Sequence, residues 1–349
     1  MLQLDPSVLK SKIRSSEITG EKTKLRFAIF MRAILIVLFA ILFVAPIGTI
    51  FGSENSSMGV AFFCILLSIR FVDFSYCIKD SVINLGLTFT LLLVAPIVAY
   101  NANPLLAGII HFCAFFAILL MTADKPEMGN GGLYGFSYVF LTGNTVTGQA
   151  FLKRCELTLI GFCLFGIIFY FKHREKNKDV RFKDVFKKFD MSNEKCRWQF
   201  RMALALSIVL TVGNALNLER FMWAGFACIS MLSAYPYTVK VLRRSMQRMI
   251  GIAVGSLMFF VVYQLTPVNM QTLLGPIGGF CLGFCTDYRK KTAINCFGAL
   301  MLAASIYGAR DAVLLRIYDN FLGVILGMII IYLFYVLVDM RFIKKKENI

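Results

Sequence analysis

Long apolar runs recur along the whole chain, and short polar or basic segments separate them. Stretches such as 33–44, 87–100 and 324–338 lie in runs that approach or reach the ~20 apolar residues that a helix needs to cross a bilayer. The pattern predicts an all-α multi-pass membrane protein with twelve transmembrane helices. The predicted spans lie near 27–45, 57–72, 81–100, 105–123, 132–147 and 153–171 in the first half and near 199–216, 221–236, 248–265, 271–286, 291–308 and 315–338 in the second.

The fifth predicted span, 132–147, is the weakest of the twelve. Three glycines together with Thr142 and Asn144 dilute its apolar character. Irregular backbone is tolerated at membrane depth only where protein or a water-filled cavity covers it. A broken or re-entrant segment is therefore the alternative to a full crossing here.

The composition also places the chain in a bilayer. Hydrophobic residues make up 58% of the 349 residues and charged residues 16%, with a mean hydropathy of +0.70 and 34 phenylalanines. These values lie outside the range of soluble domains. The net charge of +17 is typical of basic loops that face anionic inner-leaflet lipids, and the sequence contains no nucleic-acid-binding module.

The distribution of lysine and arginine indicates how the spans are oriented. With twelve crossings and cytoplasmic termini, most of the 37 basic residues lie on the cytoplasmic side. Six spans per half give both halves the same orientation, so the halves are predicted to be parallel repeats. The predicted segments are a cytoplasmic N-terminal segment 1–26, a first six-helix repeat 27–171, a basic cytoplasmic linker 172–197, a second six-helix repeat 198–341 and a basic cytoplasmic tail 342–349.

A sequence echo supports this duplication. In each half, an arginine at the start of the last span is followed by a carboxylate and, seven residues after the arginine, by a glycine. A second echo matches the segment 58–65 to the segment 222–229. Twinned membrane halves are a common architecture of transporters. The matched residues are Arg154 with Arg316, Glu156 with Asp319, and Gly161 with Gly323.

The linker combines basic residues with apolar positions at helical spacing. Phe182, Val185, Phe186 and Phe189 share one face, and lysines and arginines occupy the other. The pattern predicts an amphipathic helix on the inner leaflet. The alternative is a solvated connector whose phenylalanines pack against the helix bundle.

The sequence offers little for catalysis or metal binding. The ten cysteines fall in spans or on the inner side, which predicts reduced packing residues. With His111 and His173 as the only histidines, a metal site lacks ligands. No phosphate-binding glycine loop and no catalytic triad pattern is present. We therefore expect no enzyme activity, no metal and no cofactor.

The ionisable residues at membrane depth are the candidates for function. Glu156 and Asp319 lie near Arg154 and Arg316 at the outer mouth of the last span of each half. They carry a proton in one interpretation. In the other, which we favour, they form arginine-paired helix caps.

Three further residues complete the candidates. Arg32 and Arg201 open the first span of each half, where an arginine either snorkels to the headgroups, which is the default, or binds an anionic substrate. His111, in mid-span, is a packing group bonded to a neighbouring helix or a proton relay. The basic cluster that ends in Arg248 is predicted to anchor the chain at the inner surface rather than to form a gate.

Four motifs follow one another along the second half of the chain. They are Phe200-Arg201-x-Ala203-Leu204-Ala205, Arg220-Phe221-Met222-Trp223-Ala224-Gly225, Arg248-Met249-Ile250-Gly251-x3-Gly255, and Arg316 with Asp319 and Gly323. Through these motifs the second half, over 199–338, resembles the fusaric acid resistance and aromatic acid exporter family, and the first half resembles it more faintly. This resemblance implies a six-helix membrane unit, used twice, that exports aromatic or phenolic carboxylic acids coupled to protons. Plant relatives behave as organic-anion channels.

The chain departs from the family pattern in three places. It lacks the large cytoplasmic domain of longer members, the aromatic-proline pair usual before Trp223, and any tryptophan in the first half. The resemblance assigns Trp223 to the wall of the transport path, with interfacial anchoring as the alternative.

The predicted function is export of amphipathic or aromatic organic acids across the bacterial inner membrane, driven by the proton gradient. A passive organic-anion channel and a non-transporting factor for cell-envelope assembly are the alternatives. The sequence leaves open whether the protein forms a homo-oligomer.

Overall fold

The computed structural model describes residues 6–16, 18–234 and 238–342, and every regular element among them is helical. Single helical turns at Ser53–Asn55, Pro126–Met128 and Val268–Leu273 connect some of the helices, and a π-helical turn at Tyr335–Asp339 extends the last one. The helices are α1 Pro6–Ser15, α2 Thr19–Phe51, α3 Ser56–Ile69, α4 Ile78–Tyr100, α5 Pro104–Thr122, α6 Asn130–Thr142, α7 Gly148–His173, α8 Phe182–Lys187, α9 Glu194–Ala215, α10 Met222–Leu232, α11 Thr238–Leu265, α12 Leu274–Leu282, α13 Tyr288–Tyr307 and α14 Ala309–Phe334.

Six of these helices are long and apolar enough to cross a bilayer. Each predicted span overlaps one helix, six in each half of the chain. The structure therefore confirms a multi-pass, all-helical membrane protein. The long apolar helices are α2, α4, α5, α7, α11 from Val241, and α14 with the segment that follows it to Phe342.

Four of the helices that overlap predicted spans are shorter than a bilayer. At 1.5 Å per residue, α3, α6, α10 and α12 measure between ~14 and ~21 Å, against a hydrocarbon core of ~30 Å. The weakest predicted span, 132–147, corresponds to α6, which has only 13 residues. The residue directly before α6 is Gly129. Its φ of 84° is a left-handed conformation that favours glycine.

Two long helices begin earlier than the sequence predicts. The start of α11 lies ten residues before the predicted start at 248, and that of α14 lies six residues before 315. Lysine and arginine are good helix formers, and their long stems cover apolar surface, so a basic stretch does not end a helix. The assignment of Arg248 to an inner-surface anchor is therefore wrong, because Arg248 lies well inside α11 and is buried.

The linker packs against helix ends, and the amphipathic helix predicted from Phe182, Val185, Phe186 and Phe189 forms only in part. Only the six-residue α8 forms within it, and Phe182 and Phe189 pack on Tyr76 and Phe116, with ring centroids 5.3 and 5.5 Å apart. These contacts match the alternative in which the phenylalanines pack on the bundle. The contacts between rings stabilise this packing because they remove aromatic surface from water.

Two carboxylates hold the linker in place. Asp80 accepts two hydrogen bonds from the Arg181 guanidinium, at 2.8 and 2.9 Å. Asp73 accepts from the Ser75 amide at 2.8 Å and from the Lys176 ammonium at 3.3 Å. Partial burial opposes ionisation of Asp73, but these two donors outweigh it and lower its pKa.

The chain divides into two compact units. One comprises Met1–Phe43 and Arg243–Asn320, and the other comprises Val44–Leu242 and Phe321–Ile349. In the first unit, α1 packs through Leu9 against Leu25 and Ile29 of α2.

The second unit has an aromatic core. The ring of Phe62 on α3 lies 5.0 Å from that of Phe89 on α4 and 5.2 Å from that of Phe165 on α7. The contact between α5 and α9 joins helices from the two halves of the sequence within this unit.

Candidate functional site

Four ionisable or amide side chains are buried together in the first unit, on α11 and α14. Arg248 Nη2 donates a 2.7 Å hydrogen bond to Asn320 Oδ1, and Asn320 Nδ2 donates to the Arg316 carbonyl at 2.8 Å. Asp319, three residues after Arg316 on the same helix, is completely buried. We refer to Arg248, Arg316, Asp319 and Asn320 as the arginine cluster.

The arginine cluster lies near the middle of its helices. Arg248 follows the start of α11 by ~15 Å, and Asn320 follows the start of α14 by ~17 Å, at 1.5 Å per residue. Both helices exceed the ~30 Å hydrocarbon core, so neither Arg248 nor Asn320 lies at a helix end.

Close helix packing positions Arg248. Gly251 and Gly255 follow it on α11, where a Cβ on Gly251 would lie 2.8 Å from the carbonyl oxygen of Arg289, and one on Gly255 would overlap the backbone of Ala293. Small residues at this spacing let α11 approach α13 backbone to backbone. The guanidinium of Arg248 is thereby held on a helix that cannot rotate freely.

The arginine cluster carries two cations and one carboxylate. Arg316 interacts electrostatically with both Arg248 and Asp319. Among the described residues, the Nε of Arg248 is buried without a hydrogen-bond partner. A buried cation in lipid is costly unless it is paired, so this arrangement favours the approach of an anion.

Arg154, the sequence counterpart of Arg316, has a different environment in the second unit. Its guanidinium donates to Asn55 Oδ1 at 2.8 Å, to the carbonyl oxygens of Asn144 and Glu54 at 2.9 Å each, and to Ser57 Oγ at 3.0 Å. These partners belong to the start of α3 and the end of α6. Arg154 thus satisfies the ends of two short helices.

The structure does not bring Glu156 to Arg154. Glu156 is exposed on α7, whereas the guanidinium of Arg154 points to α3. Gly161, seven residues after Arg154, does match its counterpart, because a Cβ there would overlap the ring of Phe62 on α3. A Cβ on Gly323 would overlap the backbone of Ala224 on α10 in the same manner.

Arg201 is paired with a carboxylate that the sequence analysis missed. Asp339 is the last residue of the π-helical turn. Its carboxylate forms salt bridges with Arg197 Nε at 2.6 Å and with Arg201 Nη1 at 3.4 Å. Arg201 is buried, and among the described residues its Nε has no partner. In the sequence, this pairing is indicated only by the position of Asp339 directly after the apolar run 324–338.

The remaining predicted residues lie apart from these clusters. Arg32 is half-buried on α2. Trp223 is 2% exposed, with the Arg220 guanidinium 5.5 Å from its ring. A ring so buried cannot lie among headgroups, so interfacial anchoring of Trp223 is wrong. His111 is buried, and its Nδ1 lies 2.9 Å from the hydroxyl of Tyr138 on α6, as its packing role requires.

The described residues contain no group of three histidine, cysteine or acidic side chains that could hold a metal ion. The cysteines of the described residues are thiols that form no disulfide with one another. Buried arginines beside one carboxylate form a charged group that can bind an anion.

One comparison with known proteins gives a match. Residues 206–338 match the family model described as fusaric acid resistance protein-like, which confirms the resemblance found in the sequence. The match contains the whole arginine cluster and Trp223, and it begins five residues after Arg201. Neither the curated proteins nor the solved structures give a significant match.

Proposed function

We infer that this chain, whose residues 206–338 match the fusaric acid resistance protein-like family model, exports amphipathic or aromatic organic acids. The match and the long apolar helices support a multi-pass membrane transporter. The substrate class, the driving force, the membrane topology and the binding site are parts of our proposal.

The proposed architecture is twelve membrane helices in two parallel repeats, in a bacterial inner membrane with both termini cytoplasmic. The order of helices and the equivalent contacts of Gly161 with α3 and Gly323 with α10 support the repeat. The basic linker supports a cytoplasmic location for 172–197. The short helices take part in crossing only as buried members of the bundle.

The arginine cluster carries the substrate proposal. A carboxylate at mid-depth would accept hydrogen bonds from Arg248, whose Nε is free among the described residues, and would be attracted by Arg316. An aromatic body would face the apolar side chains of α11 and α14. Few other ligands suit a net-positive group of side chains enclosed by lipid-spanning helices.

The other predicted residues have supporting roles in this proposal. Arg32 and Arg201 are further contacts for the organic anion, and Trp223 forms part of the wall. In the proton-driven form of the proposal, Glu156 and Asp319 carry the proton, and His111 is a further contact for the substrate. Arg154 holds helix ends.

A passive organic-anion channel is the second candidate, and the charge of the arginine cluster favours it. Proton exchange requires that protonation releases the anion. A proton on Asp319 would instead make the cluster more positive and strengthen anion binding. An inside-negative potential expels a monovalent anion by ~2.3 kcal/mol per 100 mV without any proton site.

Flux through proteoliposomes tests the proposal. The full chain is reconstituted, and efflux of 4-hydroxybenzoate at pH 8 is measured under an imposed pH gradient or an imposed potential, with protein-free vesicles as the leak control. Loss of a charged hydrogen bond predicts that Arg248→Gln lowers protein-dependent flux at least about tenfold. The matched control is Arg174→Gln, because that arginine is half-exposed on the surface.

Each outcome decides one element of the proposal. Equal flux in Arg248→Gln and Arg174→Gln would remove the arginine cluster from the path. Flux that follows the pH gradient at zero potential supports proton-driven export, and flux that follows only the potential supports the channel. Absence of protein-dependent flux under both gradients would contradict both.

A further inference from the structure

A groove on the side of the second unit runs between α4 and α7. Its volume is about 480 Å³. Phe162, Gly166 and Tyr170 recur every four residues on α7 and so form one stripe, which lies against Val82 of α4. The lining residues are Lys79, Val82, Phe162, Cys163, Gly166, Ile167, Tyr170 and Phe171.

Gly166 creates the open part of the groove. A Cβ at this position would meet only Val82, at 3.7 Å, and Phe162, at 4.0 Å, so space remains above it. Toward the other end the space closes, because a Cβ on Gly86 would lie only 3.0 Å from the ring of Phe162. The groove therefore runs from Lys79 to the level of Gly86, or ~10 Å along α4.

Charge distinguishes the two ends of the groove. Lys79 is exposed at the end that carries the linker, and it is the one charged residue that lines the groove. The neighbouring carboxylate, Asp80, is already bonded to Arg181. Both helices are membrane spans, so the apolar part faces lipid chains while Lys79 lies at headgroup level.

We propose that this groove binds a phospholipid, with one acyl chain over Gly166 and an anionic headgroup paired with Lys79. An acyl chain fits an apolar channel that begins at the membrane surface and ends within one leaflet. A lysine beside anionic headgroups contributes attraction that a zwitterionic headgroup does not provide. The site is independent of the transport proposal.

Native mass spectrometry of the full chain tests the site. The protein in mild detergent is titrated with phosphatidylglycerol or with phosphatidylcholine that carries the same acyl chains, and bound lipids are counted. We expect tighter retention of phosphatidylglycerol. Lys79→Gln should weaken it on the order of fivefold, whereas Lys172→Gln, an exposed lysine that does not line the groove, should leave it unchanged.

Filling the groove gives a second measurement. Gly166→Leu should abolish retention of both lipids, and Gly298→Leu, which meets open space on α13, should not. Equal retention of both lipids by the wild-type chain, or unchanged retention in Gly166→Leu, would overturn the proposal. Conversion of a dimer to a monomer by Gly166→Leu, with no change in bound lipid, would also overturn it, because the groove would then be a subunit contact.

The thiol of Cys163 provides a readout that needs no substitution in the groove. Cys163 lines the groove and is exposed, so a bound acyl chain should slow its reaction with a maleimide. The measurement uses a Cys113→Ser background, since Cys113 is the other exposed thiol. Slower labelling with phosphatidylglycerol than with phosphatidylcholine is expected, and equal rates would contradict the site even if Gly166→Leu fails to fold.

Discussion

Buried arginines in this protein differ in how many of their hydrogen-bond donors are used. Arg154 donates to four acceptors, all at the ends of neighbouring helices. Arg248 and Arg201 each keep a buried Nε without a partner among the described residues. A fully bonded guanidinium stabilises structure, whereas one with a remaining donor can bind a ligand. This difference separates the architectural role of Arg154 from the proposed functional role of Arg248.

Replacement of Arg154 should reduce stability. In Arg154→Gln, the partly buried carbonyl oxygens of Glu54 and Asn144 lose donors, and each unsatisfied group costs about 1–3 kcal/mol. We expect a loss of about 3 kcal/mol, and thus a fall of several degrees in the midpoint of thermal unfolding in detergent.

A surface arginine provides the control for this prediction. Arg174→Gln removes an arginine that is half-exposed and paired with an exposed glutamate, so its effect should stay below about 0.5 kcal/mol. Indistinguishable unfolding midpoints for the two variants would show that the bonds of Arg154 contribute nothing net.

At the scale of elements, several helix ends depend on side chains that cap them. A helix end inside a membrane exposes backbone groups that water cannot reach. The Trp198 indole donates to the carbonyl of Leu232 at the end of α10, and the Tyr76 hydroxyl donates to that of Met121 in the last turn of α5. Asn130 donates to the Thr122 carbonyl at 2.7 Å. Polar residues in apolar runs therefore mark helix ends as well as candidate sites.

The linker should loosen in acid because of Asp73. Its folded-state pKa lies below the usual 3.8. The hydrogen bond that it accepts from the Ser75 amide and its ion pair with Lys176 therefore stabilise the fold at neutral pH. This contribution persists as pH falls toward 3.8 and is lost as pH falls further through the lowered pKa. Hydrogen exchange of the Ser75 amide should accelerate there after correction for its intrinsic pH dependence.

A charge-neutral variant should mimic the acid effect at neutral pH. Because Asp73 is partly exposed, its attraction to Lys176 is screened, and Asp73→Asn should speed exchange of the Ser75 amide only about fivefold at pH 7. Glu175→Gln is the control, since Glu175 forms a fully exposed pair with Lys178. Equal exchange in wild type and Asp73→Asn would contradict the contribution of Asp73.

At the scale of the whole molecule, the two compact units do not coincide with the two halves of the sequence. Residues of α2, α11 and α14 contribute to both units. The echo between the halves survives at Gly161 and Gly323 but not at the arginines, since Arg154 caps helices and Arg316 belongs to the arginine cluster. Duplication of the six-helix unit stays a prediction, and it requires that one of the two arginines has diverged.

Cysteine accessibility tests the proposed orientation. Lys183→Cys on α8 and Asn101→Cys after α4 both place a thiol at an exposed position. The abundance of basic residues in the linker predicts that an impermeant maleimide labels residue 101 in intact cells and residue 183 only after the cells are opened. The background lacks the exposed thiols of Cys113 and Cys163. Labelling of residue 183 in intact cells would reverse the topology.

Helix positions were largely predictable, whereas helix lengths and partners were not. The predicted span 81–100 became Ile78–Tyr100, because a long apolar run specifies a helix through local periodicity. The predicted start at 248 was wrong, because a basic stretch can be helical as well as exposed.

The same contrast applies to the candidate site. Arg316, Asp319 and Asn320 are visible in the sequence as polar residues within an apolar run. Asp339 was missed because its partner Arg197 lies 142 residues away. No local pattern encodes a pairing over that distance.

The sequence by itself determined that this is an all-helical membrane protein with a basic linker, since apolar runs and charges act on their surroundings residue by residue. The tertiary structure decided which arginine is used as a cap and which retains a donor. It also decided where the linker packs and where α4 and α7 leave a groove. These features depend on which side chains of distant helices come within hydrogen-bond or packing distance, and only the packed bundle determines that.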